Sequence, residues 1–345
     1  MDIVDITLDQ MEDEASRLGL ELPIEQTSAW ARLEQTIDGR TPWGALRFSR
    51  DGQPVAFISL FDYKTHGYHY LRAMHGPVWV MEPDAADEQE LIDALHAYLR
   101  KRDRKQVFAR ISVKAELPSC RPVLSTIPYN QTVVIDLEGG EEAILSRMKT
   151  RGRRDVRKAL RESPAAYADE TELASASFDE YYDVMVETAA RDGFAPAPAS
   201  DYENMIRILG PEHCRVFAGR IDGRVVTWTI ATVSGRHGVR YYGASRADVP
   251  NRNFVTDGLI FFECCTLSEQ GIVSYDQMGI GNDFAPSLKG LNTFKTKFSK
   301  EITDVAPNRD LPLRSHVYGL LVRLQAMRRK SRAAAQGKAE QKKEA

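Results

Sequence analysis

Hydrophobic and polar positions alternate along this chain in two registers, and the register changes mark its elements. Gly44–Arg50 and Pro54–Tyr63 flank the turn Asp51–Gly52, which predicts a β-hairpin. Cys214–Ile221 and Val225–Val233 do the same around Asp222–Gly223. Tyr68–Val80, Val107–Val113, Asn130–Leu137, Val239–Ser245 and Ile272–Met278 read as further strands. Leu91, Leu95 and Leu99 repeat at helical spacing and predict a helix over Asp87–Arg102. Ala29–Gln35, Glu141–Glu162 and Phe178–Arg191 also read as helices, as does Thr256–Gln270, closed by Gly271. Gly290–Phe298 predicts a short helix with Phe294 and Phe298 stacked one turn apart. A last amphipathic helix, His316–Met327, is expected to turn Leu320, Leu321, Leu324 and Met327 to the core.

Both halves thus repeat one order: hairpin, strand, helix, strand. A mixed sheet of the GNAT acyltransferase type requires that order, so the expected class is α/β with two GNAT-like domains side by side. The first is expected over residues 1–139, completed by the C-terminal helix 306–328, and the second over 140–305. Residues 329–345, rich in Ala, Lys, Gln and Glu, read as a disordered basic tail.

Charge sharpens this picture. The 345 residues carry a formal charge of −3, yet residues 147–161 hold eight basic residues and one acid, and 323–345 hold eight and two. The rest of the chain is therefore strongly acidic. Such asymmetry makes nucleic acid, phosphate or anionic lipid the partner class for those two segments. Cys120, Cys214, Cys264 and Cys265 fit neither a zinc site nor a disulfide framework, and no histidine has metal-ligand spacing, so no metal is expected. The start, MDIVDITLDQMEDEA, is acidic and unlike a signal peptide, and no apolar run approaches membrane-spanning length. A cytoplasmic protein without a transmembrane segment, with possible membrane-surface contact, is expected.

Five segments carry candidate chemistry. Arg147, Arg151, Arg154, Lys158 and Arg161 fall at steps of three or four, giving a basic helical stripe suited to tRNA or phosphate. Thr188…Arg191-Asp192-Gly193-Phe194 comes next, with Tyr202 downstream. Arg240-Tyr241-Tyr242-Gly243-Ala244-Ser245 is a strand ending in small residues, where a ligand backbone could approach closely. Tyr275-Asp276…Gly279-Ile280-Gly281 opens a strand end into a glycine turn, and Gly290-Leu291…Phe294-Lys295…Phe298 closes the set.

In this order and spacing, the segments resemble the FemABX family, the tRNA-dependent aminoacyltransferases that build peptidoglycan interpeptide bridges. The resemblance spans roughly residues 20–305 and includes Gln26…Trp30 and Gly76-Pro77-Val78. It implies two GNAT-like domains with a cleft, here in the short form without a coiled-coil arm. It also implies transfer of an aminoacyl group from aminoacyl-tRNA to an amine of UDP-MurNAc-pentapeptide or of a lipid-linked precursor, with tRNA as co-substrate and no other cofactor. By the same resemblance Phe294-Lys295 is the catalytic pair, Lys295 stabilising the oxyanion. Tyr202, Tyr242, Tyr275 and Arg191 line the substrate cleft, while Arg151, Arg154 and Lys158 meet tRNA or phosphate. Three positions depart from the family: Glu34 stands where a lysine is usual, Pro198 where an arginine is, and Ser112 where an aspartate is. The first would repel a diphosphate. An acetyl-CoA-dependent N-acetyltransferase is the nearest rival, but the stretch after Ser245 lacks the glycines that cradle a pyrophosphate. A non-catalytic RNA- or phosphate-binding protein is the other alternative.

Overall fold

The computed structural model describes residues 1–124, 128–249 and 252–328. The expected disordered tail lies outside the described residues. In chain order the strands are β1 (Asp2–Ile6), β2 (Arg40–Arg50), β3 (Gln53–Thr65), β4 (Tyr68–Arg72), β5 (Val78–Trp79), β6 (Gln106–Ser112), β7 (Arg121–Pro122), β8 (Gln131–Asp136), β9 (Ala166–Asp169), β10 (Cys214–Ile221), β11 (Arg224–Ser234), β12 (His237–Ser245), β13 (Ser274–Gly279), β14 (Thr303–Asp304) and β15 (Asn308–Pro312). The helices are α1 (Leu8–Arg17), α2 (Ser28–Glu34), α3 (Ala85–Arg102), α4 (Gly140–Arg147), α5 (Thr150–Glu162), α6 (Thr171–Ala176), α7 (Asp179–Asp192), α8 (Ala199–His213), α9 (Arg252–Glu269), α10 (Lys289–Lys295) and α11 (315–328).

The first unit, residues 1–11, 39–128 and 306–345, holds an eight-stranded sheet in the order β1-β2-β3-β4-β6-β15-β7, with β5 on β3. The β2–β3 hairpin turns where expected, with Asp51 and Gly52 both at positive φ. β4 and β6 run parallel, so a crossover must join them, and α3 provides it. Asp84 starts α3 with a capping box, accepting from the Ala86 and Asp87 amides at 2.8 and 2.9 Å. Leu91, Leu95 and Leu99 then lie fully buried in the core, as their spacing predicts.

The second unit, residues 12–38 and 129–305, repeats the theme in seven strands, β14-β8-β13-β12-β11-β10-β9. β12 and β13 are its parallel pair, and α9 is the crossover. Leu259, Ile260, Cys264 and Leu267 turn the α9 face into the core, so Cys264 is the small core residue its setting predicts. Gly271 (φ +83°) ends that helix, letting the Ile272 amide donate back to the Leu267 carbonyl at 3.0 Å.

Four expectations need correction. The domain boundary falls at 128/129 rather than 139, because β8 hydrogen-bonds β13 and β14 of the second sheet. Residues 12–38, with the Gln26…Trp30 motif, also belong to the second unit. The long helix over 141–162 is two helices. Met148 is extended (ψ 153°) and buried as a core plug, so the chain turns between α4 and α5. Finally, α11 does not bury Leu320, Leu324 or Met327, and Leu321 is only half-buried. Tyr318 makes the contact instead, its ring edge-on to Phe108 at 5.5 Å and its hydroxyl donating to Asp310 at 3.2 Å.

Candidate active site

The last turn of α10 sets Lys295 against the end of β13. Phe294 anchors that turn: its ring lies 5.6 Å edge-on to Phe298, which is fully buried. Lys297 locks the following residues to α9 and α5, with Nζ 2.5 Å from Asp257 and 3.6 Å from Asp155. Burial pushes the Asp257 carboxyl up to about 6 against the pull of that ammonium. Gly152 permits the close crossing beneath, since a Cβ there would meet the Lys297 carbonyl oxygen at 2.2 Å.

Held this way, Lys295 Nζ donates to the carbonyls of Gly279 (2.9 Å) and Met278 (3.3 Å). Those carbonyls are turned outward by a bulge between Asp276 and Gly279, where Met278 takes a positive φ of 60°. Asp276 braces the bulge by accepting from the Met278 amide at 2.6 Å and from the Thr132 hydroxyl. An ammonium has three protons, so one donor of Lys295 has no partner among the described residues. Partial burial and then the nearby Arg240 guanidinium pull its pKa from 10.5 down to about 8, with Asp276 opposing. At neutral pH the group is still mostly a cation.

Sequence reasoning quoted Arg240 but gave it no role, and it missed Glu263. Arg240 reaches across β11, donating to the Thr229 hydroxyl at 2.9 Å, with Nε 3.6 Å from Glu263. Glu263 is fully buried on α9, where burial raises its pKa despite Arg240. Tyr275 donates its hydroxyl to Glu263 at 2.8 Å. Arg240 Nε and Glu263 Oε1 are both buried without a hydrogen-bond partner. The available signal was one acid inside the apolar run Leu259-Ile-Phe-Phe-Glu263-Cys-Cys.

The structure divides the remaining sequence candidates. A bulge opposite Ile230 and Ala231 pairs Tyr242 with Ile230 and Arg240 with Ala231, leaving Tyr241 extra. Arg240 therefore faces α9, and Tyr242 faces the other side of the sheet. There Tyr242 meets Tyr202 edge-on at 5.0 Å, and Tyr202 stacks on Phe178 at 5.5 Å. Tyr202 is only 2% exposed, and burial pushes its phenol up to about 12. Arg191 joins that side by donating to the Ser245 carbonyl at 2.6 Å and pairing with Asp192. The expected substrate set is thus split, with Tyr202, Tyr242 and Arg191 on one face and Tyr275 on the other. Tyr275, expected to line a cleft, is fully buried and serves as a prop for Glu263. Gly243, read as a ligand approach, is filled by protein, since a Cβ there would meet Arg240 Nη2 at 2.6 Å; at the glycine turn a Cβ on Gly279 would meet the Tyr129 ring at 2.4 Å.

Arg151, Arg154 and Lys158 do share an exposed or half-exposed face of α5. Arg151 and Arg154 lean on Asp155 at 3.5 and 3.0 Å, while Lys158 Nζ lies 3.6 Å from Glu162 and 4.5 Å from the Phe254 ring centre. Arg147 belongs to α4 and pairs with Asp136 at 3.1 Å, so it leaves the expected stripe. Glu34 is 1% exposed within α2, so it is not a surface charge that meets a diphosphate. Pro198 precedes the first turn of α8, and Ser112 ends β6 with its amide on the Gly76 carbonyl.

A family model described as an acetyltransferase (GNAT) domain matches residues 147–284. The crystal structure of FemX superposes with a TM-score of 0.72 over 93% of this chain and 99% of its own, at 15% identity. L-PGS from Bacillus licheniformis gives a TM-score of 0.53 over 93% and 97% at 13% identity. The C-terminal domain of a putative lysylphosphatidylglycerol synthetase from Agrobacterium fabrum gives 0.51 over 88% and 92% at 18% identity. Comparison with curated proteins finds no match. The chain therefore has the FemX fold, which the resemblance to the FemABX family implied, and it carries a GNAT-type acyltransferase domain.

Proposed function

We propose that this chain, with the fold of FemX and an acyltransferase domain over 147–284, moves an aminoacyl group from aminoacyl-tRNA to an amine of a peptidoglycan precursor. The observation that carries the reading is Lys295: a cation fixed by two strand-end carbonyls, with one donor left over and Arg240 nearby. The acceptor amine, as its free base, attacks the ester carbonyl. A C–N bond forms, and negative charge collects on the carbonyl oxygen. The spare N–H of Lys295 meets that oxygen and lowers the barrier by about 3 kcal/mol. Collapse of the intermediate breaks the ester C–O bond, and the amine's proton ends on the departing ribose hydroxyl of the tRNA. The ester is already activated, so holding the amine in place serves without a strong protein base. Phe294 fixes the turn that aims Lys295. Arg151, Arg154 and Lys158 supply an exposed basic face for tRNA phosphates. Arg191, Tyr202 and Tyr242 are assigned to the acceptor, with Tyr202 acting through Tyr242 because it is itself buried.

The test is transfer of labelled amino acid from a pool of charged tRNA, with and without UDP-MurNAc-pentapeptide or the lipid-linked precursor. Label appearing on a precursor is the expected result. No transfer with tRNA bound would move the acceptor to another amine. No transfer and no tRNA binding, with label passing from acetyl-CoA to an amine instead, would overturn the reading.

A further inference from the structure

The last helix presents apolar side chains to the outside. Leu320 is 56% exposed, Leu324 42% and Met327 56%. At 100° per residue these three fall within about 60° of the helix circumference, and Arg323 and Arg328 sit about 40° beyond its two edges. Both arginines are exposed. The opposite face is the one that holds α11 to its sheet. Tyr318, Val322 and Gln325 line a cavity of about 450 Å³ with Arg121, Pro122 and Leu124, and Tyr318 also bonds the Pro122 carbonyl at 3.2 Å. Leu320 and Leu324 thus point away from the side chains that line that cavity. The chain then continues into a segment whose basic residues outnumber its acids eight to two over 323–345.

We infer that the outer face of α11 lies on an anionic membrane surface, its apolar stripe in the acyl boundary and its flanking arginines at the headgroups. Charge and shape select this occupant. A helix that is apolar on one stripe and basic at both margins matches the depth profile of an anionic interface. Polyanionic RNA would engage the arginines but leave the three apolar side chains in water. A second copy docked stripe to stripe would bring two basic segments together. Among the described residues no helix is long and apolar enough to cross a membrane, so the contact is a surface one and reversible. The inference holds whatever amine accepts the acyl group.

The test is cosedimentation of the full chain with vesicles of phosphatidylcholine alone and with about a third phosphatidylglycerol, at low and at 0.5 M salt. Binding to the anionic vesicles is expected to exceed binding to the neutral ones at least tenfold and to fall with salt. The variant Leu320→Ser/Leu324→Ser/Met327→Ser, altered only at exposed positions, is expected to keep the wild-type melting temperature and lose at least tenfold in binding. Absence of binding to anionic vesicles at low salt overturns the inference. So does a triple variant that binds like wild type while a chain ending at residue 328 does not, because the basic segment alone would then suffice. A dimer in solution that the triple variant dissolves, with no vesicle binding, would assign the stripe to a second copy and equally overturn it.

Discussion

Each unit sets a sheet arginine against a buried carboxylate, and the two pairs are finished differently. In the first, Arg110 meets Asp310 through two bonds of 2.7 and 3.1 Å, and Asp310 also accepts from the Leu124 amide and the Tyr318 hydroxyl. Both charges are almost wholly out of water, and neither side chain is among those with a buried polar atom left unpartnered. In the second, Arg240 and Glu263 stand 3.6 Å apart, each keeps one polar atom unpartnered, and a lysine with a lowered pKa stands near. Buried polar groups are normally satisfied, so the complete pair reads as architecture. An incomplete pair beside a displaced pKa is where a fold sets stability aside for chemistry. The two arginines look alike in the sequence, and only their surroundings separate them.

The largest expected effect falls on the finished pair. Asp310→Ala leaves the Arg110 guanidinium buried without a counter-charge, at a cost of about 3–5 kcal/mol in denaturant unfolding. Arg240→Gln is expected to cost far less, because Glu263 is already pushed toward its neutral form and can take up a proton. Equal losses from the two substitutions would erase the distinction.

Next in size is the pH dependence. The Lys295 cation is lost as pH rises through about 8, so kcat/KM for transfer is expected to fall about tenfold per unit above that value. Its linkage to stability has the opposite sign. The folded pKa lies below the ordinary 10.5, so the unfolded chain holds more protons between about pH 8 and 10.5. Stability from this group therefore rises with pH across that window. A melting temperature that falls through the window in wild type relative to Lys295→Met would contradict this. The smallest effect belongs to Arg240→Gln again. Removing its charge is expected to move the alkaline limb of the rate profile upward by up to about one unit. An unmoved limb would separate Arg240 from the lysine.

Much of the fold was legible because alternation and helical spacing report which face is buried. Leu91, Leu95 and Leu99 gave α3, and Asp222–Gly223 gave a hairpin, without any long-range information. The break at Met148 was hidden because its side chain is as apolar as a continuing helix would require. The outward stripe of α11 was misread for the matching reason. Apolar spacing says that a face avoids water and does not say what covers it. At the site, Lys295 was named through resemblance alone. Its carbonyl partners came from the bulge between Asp276 and Gly279, and its neighbour Arg240 from the bulge at Tyr241, which sends Arg240 and Tyr242 to opposite faces; no pattern of residue types announces such irregularities in a strand. Glu34 was read as repelling a diphosphate, and its burial was hidden because burial depends on what α2 packs against, which the sequence does not state.

The most direct test of the central claim is single-turnover aminoacyl transfer by Lys295→Met beside wild type at neutral pH, with melting temperatures recorded for both. The expected result is a loss of roughly 10²–10³ in rate. Melting temperatures within a few degrees are also expected, because relief of a desolvated charge offsets the two lost carbonyl bonds. Full turnover by the variant with tRNA still bound would contradict the account, since the lysine would then only brace the bulge at Met278 and the oxyanion would have to be held elsewhere.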